Sequence, residues 1–200
     1  MLISDYLSSC LIHLLVRNHT IEKNESEIYR YCFNYIFELF FYYLALQIAS
    51  IFLFVPTFAP LFFAVIMPFR SVCGGFHAST RWQCALLSYG CFIVTYIVYL
   101  LTQSLPNLCW LISFFTVIGI LYVFPAVTHK NRNFSHNQKR RQHILRHVLC
   151  IIWSFLFCMA YLLNLSLYFH LMTICVTIVL VNLLIAVMIT RRTGGYFIDF

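Results

Sequence analysis

Residues 82–129 read WQCALLSYGCFIVTYIVYLLTQSLPNLCWLISFFTVIGILYVFPAVTH, a long apolar stretch without a single lysine or arginine. A membrane-spanning helix needs about 20 apolar residues, so this stretch has room for two spans. Pro106 and Asn107, near its middle, form a turn signal between them. The stretch therefore predicts a hairpin of two transmembrane helices.

The composition of the whole chain is typical of a membrane protein. Hydrophobic residues make up 62% of the 200 residues, charged residues only 10%, and the mean hydropathy is +0.85. A soluble domain of this size carries far more charge on its surface. The nine cysteines are scattered without paired spacing, so no disulfide framework is expected. The chain is therefore predicted to be a single integral membrane domain, 1–200.

The placement of positive charge predicts the topology. The thirteen lysines and arginines fall in four patches, 17–30, 70–81, 130–146 and 191–192. Because positive charge marks the cytoplasmic side, each gap between patches must run out of the cytoplasm and back. Turns are expected at Pro56 and Pro60, at Pro106-Asn107, and from Asn164 to His170. We expect an all-α polytopic protein with both termini cytoplasmic and six spans, roughly 31–54, 57–69, 84–103, 108–127, 148–166 and 170–190.

The first residues have the pattern of an amphipathic helix. Apolar residues recur at helical spacing between positions 2 and 15, separated mainly by serines, Asp5 and His13. Such a helix lies on the membrane surface with its apolar face in the lipid. Residues 1–27 are therefore predicted to be an amphipathic N-terminal segment that either anchors the chain or docks a partner.

The stretch RSVCGGFHASTRWQC, from Arg70 to Cys84, gathers polar chemistry between two apolar runs. Thr80 and Gln83 fit a capping box, which starts the third span at Arg81 and places Cys84 in its first turn. The positive end of the helix dipole, with Arg70 nearby, favours the thiolate form of a cysteine. Cys84 is therefore a candidate nucleophile.

His77 is the candidate general base for Cys84. On an unbroken helix, seven residues would separate the two by about 10.5 Å along the axis, too far for a working pair. They can meet only if the chain folds back before the helix, and Gly74-Gly75 gives the incoming loop the φ freedom that this requires. The residues alone are compatible with catalysis and with ordinary packing.

The motif and its context resemble the accessory gene regulator B (AgrB) family of membrane cysteine endopeptidases. The likeness rests on Arg70, on Cys-Gly-Gly-Phe-His-Ala at 73–78 followed by Cys84, on Glu38 in the first long span, and on Phe-Pro-Ala at 124–126 before a basic loop. It implies that His77 and Cys84 are the catalytic residues. It also implies the cell membrane of a Gram-positive bacterium. The charge pattern described above places the catalytic segment 70–84 on the cytoplasmic side.

The resemblance further implies the substrate and the reaction. The substrate would be an AgrD-like quorum-sensing precursor with an amphipathic leader and an acidic C-terminal tail. Cys84 would release the tail through a thioester, and a thiol or hydroxyl of the peptide would close a thiolactone or lactone. Arg70, Gly74 and Gly75 would support the site, while Glu38 either orients His77 or packs a helix. No cofactor is expected, and the other expected partners are membrane lipid and a second copy in a homodimer.

Residues 128–147 carry the main basic patch and are predicted to form a cytoplasmic loop. Lys139, Arg140 and Arg141 are candidate ligands for the acidic tail of the substrate. The alternative is that the loop only fixes topology beside anionic lipid. Nucleic acid is not expected as a partner, because the loop has a single aromatic residue and no recognisable nucleic-acid-binding fold.

Two other classes of function stay open. Cys73, His77 and Cys84 have donor atoms for a metal, although a fourth ligand is missing from the motif. A small transporter or scaffold with pH-sensing histidines is the second alternative. Against it, the predicted spans hold almost no ionisable residue apart from Glu38, whereas transport pathways usually need several.

Overall fold

The computed structural model describes residues 2–53, 55–74, 81–123 and 136–193, and the regular elements in these ranges are all helical. A short 3₁₀ turn, Lys23–Glu25, precedes the second α-helix. The α-helices are α1 (Leu2–Arg17), α2 (Ser26–Phe52), α3 (Phe58–Cys73), α4 (Arg81–Thr102), α5 (Asn107–Val123), α6 (His136–Leu162) and α7 (Ser166–Thr193). The all-α prediction is confirmed over these residues.

The chain forms two compact units, Met1–Pro56 and Thr57–Phe200. In the first, α1 packs along α2, and Asn34 of α2 donates a hydrogen bond from Nδ2 to the Asp5 carboxylate of α1. Helix α1 buries a small polar face that contains Ser4 and Ser8. Small side chains allow close helix packing in a membrane. Three large apolar residues of α1 stay exposed, as a lipid-facing surface requires: Ile3, Tyr6 and Leu14.

Two helices end in the same left-handed cap. His19 after α1 has φ 52°, and Asn164 after α6 has φ 54°. The next amide donates back across the turn in each case, from Thr20 to the Leu15 carbonyl at 3.0 Å and from Leu165 to the Ala160 carbonyl at 2.9 Å. The turn predicted at Asn164 is confirmed, whereas His170 lies inside α7, because this cap lets α7 begin at Ser166.

Helix α7 is the central element of the second unit. It packs against α3, α4, α5 and α6, and residues 169–176 form a continuous buried run. Aromatic pairs join the surrounding helices: Phe114 of α5 stacks on Phe157 of α6 at 3.9 Å, and Phe58 of α3 meets Phe92 of α4 edge-on at 4.8 Å. The four outer helices are thus assembled around α7.

Four of the described helices are long and apolar enough to cross a membrane: Ser26–Phe52, Gln83–Thr102, Asn137–Leu162 and Ser166–Ile189. Helices α3 and α5 are apolar but have only 16 and 17 residues. At 1.5 Å per residue they reach roughly 24–26 Å, slightly less than the ~30 Å of a bilayer core. The chain is a multi-pass membrane protein, and the predicted count of six spans is approximate.

Helix α6 begins well before its predicted start at 148. The structure places its first residue at His136, so the second half of the predicted basic loop, 128–147, is helical. The run that follows is rich in Gln, Lys and Arg, which are good helix formers even where they lie outside the apolar part of a helix. The basic side chains of this run therefore stand on a helix.

Candidate active site

Cys84 lies in the first described turn of α4. The helix begins at Arg81, and the Cys84 side chain is half-buried. The first four amides of a helix have no carbonyl partner within the helix, and they form its positive end. The thiol is therefore carried at the end of α4 that best stabilises negative charge.

The last turn of α3 brings a guanidinium to this thiol. Arg70 donates from Nη2 to Cys84 Sγ at 2.9 Å and from Nη1 to Ser88 Oγ at 3.2 Å. The fork of an arginine suits two such contacts at once. A negative charge that develops on Sγ would lie directly against this positive group.

Ser88 completes the arrangement, and sequence reasoning did not single it out. Its hydroxyl accepts from Arg70 and donates to the Cys84 carbonyl at 3.0 Å. The signal was present in the spacing, because residues four apart share one face of a helix. Ser88 thereby links the guanidinium to the backbone of the residue that carries the thiol.

The structure distinguishes the two thiols of the motif. Cys73 ends α3 and is fully buried, whereas Cys84 is half-buried. A fully buried cysteine is a poor nucleophile, because a nucleophile must reach its substrate. Of these two thiols, the geometry favours Cys84 as the reactive one.

The chain leaves α3 at Gly74, which has φ 76° and ψ −161°. This is a conformation that only glycine adopts without strain, so the predicted need for φ freedom is met at this position. The predictions for Gly75, His77 and the Thr80 cap fall on residues 75–80, outside the described residues. Gly74 thus gives the backbone conformational freedom just before the segment that carries the candidate base.

Glu38 and the basic residues of α6 are the remaining candidates predicted from the sequence. Glu38 is half-buried in α2 of the first unit, and its predicted role beside His77 stays a prediction. Lys139, Arg140 and Arg141 occupy the first turns of α6, with Arg140 and Arg141 exposed. Among the described side chains, no three His, Cys, Asp or Glu residues come together as metal ligands.

Comparison with protein families identifies a relationship that covers most of the chain. A family model described as Accessory gene regulator B matches residues 8–189, which is most of the chain. No curated protein and no solved structure matches.

Proposed function

Because the chain belongs to the accessory gene regulator B family, whose members are membrane proteins involved in processing a quorum-sensing peptide, we propose that it is a cysteine endopeptidase with Cys84 as nucleophile. The single observation that carries this proposal is the Arg70 guanidinium at 2.9 Å from Cys84 Sγ. A thiol held against a cation at a helix N-terminus is the environment in which cysteines become reactive.

The first half of the proposed reaction forms a thioester. His77 takes the proton from Cys84, and Sγ attacks a carbonyl carbon of the precursor next to its acidic tail. The C–N bond breaks, His77 returns the proton to the leaving amine, and the tail departs. The upstream peptide stays joined to Sγ.

The second half closes the ring. A thiol or hydroxyl of the bound peptide gives its proton to His77 and attacks the thioester carbonyl. The bond from this carbon to Sγ breaks, and Cys84 recovers its proton from His77. Water-poor surroundings in the membrane favour this transfer over hydrolysis, because they keep the competing nucleophile away.

The oxyanion formed in each half needs hydrogen-bond donors. The amides of the first turn of α4 are the candidate donors, because they lie at the positive end of the helix dipole and belong to the turn that carries Cys84. Both Nη atoms of Arg70 already contact Ser88 and Cys84, which supports a role for Arg70 at the sulfur rather than at the oxyanion.

Three substitutions test the proposal. Cys84→Ala and His77→Ala should each abolish cleavage of the precursor in membranes, whereas Cys73→Ala should retain most activity because Cys73 is buried away from substrate. Cleavage is followed by release of the acidic tail, and equal membrane insertion of the three variants is the control. An active Cys84→Ala variant beside an inactive Cys73→Ala variant would show that the nucleophile is misassigned.

A further inference from the structure

Arg146 is a buried cation near the start of α6. Its side chain is only 2% exposed, although the sequence places it at the edge of a basic patch expected to be solvated. Arginine is almost never buried to this degree unless its charge is compensated, and ionisable residues inside membrane helices usually have a function. The buried guanidinium of Arg146 is therefore expected to have a role in the structure or function of the protein.

The surroundings of Arg146 place it beside the end of α3. Arg146 acts electrostatically on the thiol of Cys73, the last residue of α3, and on that of Cys150, one turn further along α6. Both cysteines are buried, at 0% and 2% exposure, and α3 packs against α6. The C-terminal end of a helix is negative and has free carbonyls, so it complements a guanidinium.

The same turn of α3 carries Arg70. Arg70 reaches Cys84 and Ser88 on α4. Three residues later, Cys73 lies within the electrostatic reach of Arg146 on α6, against which α3 packs. An interaction that fixes the last turn of α3 against α6 therefore also fixes the direction in which the Arg70 side chain points.

We propose that Arg146 is a positioning residue for the candidate active site. It holds the last turn of α3 against α6, and this aims the Arg70 guanidinium at Cys84 Sγ. In this proposal Arg146 acts through Arg70 rather than on the thiol of Cys84 or on the substrate. Its importance for catalysis rests on the function proposed above.

The reactivity of Cys84 measures this role directly. Arg146→Met keeps a long apolar side chain and removes the charge, and iodoacetamide alkylation in membranes can be read at Cys84 by mass spectrometry of its peptide. We expect Arg146→Met to slow alkylation of Cys84 roughly fivefold, which is in the usual range for the coupling between neighbouring residues. Arg146→Lys should restore part of the rate. Arg30→Met, which removes an exposed arginine of α2, is the matched control and should change nothing.

A double-mutant cycle separates positioning from a general loss of structure. If Arg146 acts through Arg70, the variant Arg70→Met/Arg146→Met should label no more slowly than Arg70→Met alone. Wild-type labelling in Arg146→Met, or full additivity in the double variant, would overturn the proposal. If Arg146→Met does not accumulate in membranes, Arg146→Lys replaces it in the test. Slower alkylation of Cys84 that disappears in the Arg70→Met background supports the proposal. Slower alkylation that persists in that background, or an unchanged rate, overturns it.

Alkylation needs no precursor, so the two proposals fail in different ways. A wild-type protein that does not cleave precursor refutes the proposed function and leaves the coupling between Arg146 and Arg70 intact. Normal cleavage without that coupling refutes only the role of Arg146.

Discussion

At the scale of single residues, the side chain of Arg70 both links α3 to α4 and contacts the candidate nucleophile. One Nη atom contacts the Cys84 sulfur and the other contacts the Ser88 hydroxyl. A lysine offers one compact ammonium in place of the planar fork, so it would not reproduce both contacts. The second contact limits the rotation of Arg70 and keeps its charge at the sulfur.

Removal of the Ser88 hydroxyl tests this second contact. Ser88→Ala removes the hydroxyl that accepts from Arg70 Nη1 at 3.2 Å and donates to the Cys84 carbonyl at 3.0 Å. One such hydrogen bond contributes about 1 kcal/mol, so we expect kcat to fall roughly fivefold with KM unchanged. Steady-state cleavage of the precursor measures both constants.

The control for Ser88→Ala is Ser113→Ala, an exposed serine of α5. It should keep full activity. A Ser88→Ala variant with normal kcat, or with a change confined to KM, would contradict the supporting role of the hydroxyl.

Residues with local signals were predictable, and residues placed by tertiary packing were not. A cap pattern within four positions predicted a helix from Arg81 onward with Cys84 near its start, and α4 is helical from Arg81 in the described residues. The burial of Arg146 had no such signal, because the neighbouring basic residues gave it the appearance of a solvated patch. Only the packing of α3 on α6 shows that it faces inward.

At the scale of elements, α6 combines a polar beginning with an apolar body. Two of its histidines, His143 and His147, have ring centroids 4.1 Å apart, and His147 meets Tyr122 of α5 edge-on at 3.9 Å. The apolar body was predictable from hydropathy. The helical structure of the polar beginning was not predictable, because charge is a poor guide to whether a helix continues beyond the membrane. The consequence is that Arg140 and Arg141 project from a regular helix.

Neutralising the first turns of α6 tests whether they bind the acidic tail of the precursor. We expect a variant with Lys139, Arg140 and Arg141 all changed to Gln to bind precursor roughly tenfold more weakly, or about 1.4 kcal/mol. The loss should be larger at low salt, because exposed charges are screened over about 8–10 Å at physiological ionic strength. Titration of the purified variant at two ionic strengths measures it.

The uncharged neighbours Asn137 and Gln142, changed together to Ala, are the control for this experiment. They lie on the same turns of α6 and should leave affinity unchanged. Equal affinity of the triple variant at both salt concentrations would leave the basic turns with a purely topogenic role.

At the scale of the whole second unit, the two ends of the helix bundle differ chemically. One end carries Arg70, Cys84 and Arg146. At the other end, His170 of α7 stacks on Trp110 of α5 at 4.3 Å and approaches Tyr99 of α4. The distribution of Lys and Arg along the sequence predicts that the first end faces the cytoplasm.

Cysteine-accessibility labelling tests this orientation. Thr57 and Gln103 are exposed at the opposite end from Cys84, so cysteines placed there should react with a membrane-impermeant reagent added outside intact cells. Cysteines placed between 129 and 147 should react only after the membrane is opened. Labelling of the 129–147 region from outside would overturn the predicted topology.

The central place of α7 has a consequence for biogenesis. The ribosome completes α3, α4, α5 and α6 before it reaches Ser166, yet all four helices pack on α7. A nascent chain that stops before this point already contains Arg70, Cys84 and Ser88. It lacks the helix that α3 and α4 share as a partner, so it carries the chemistry of the candidate site without its finished support.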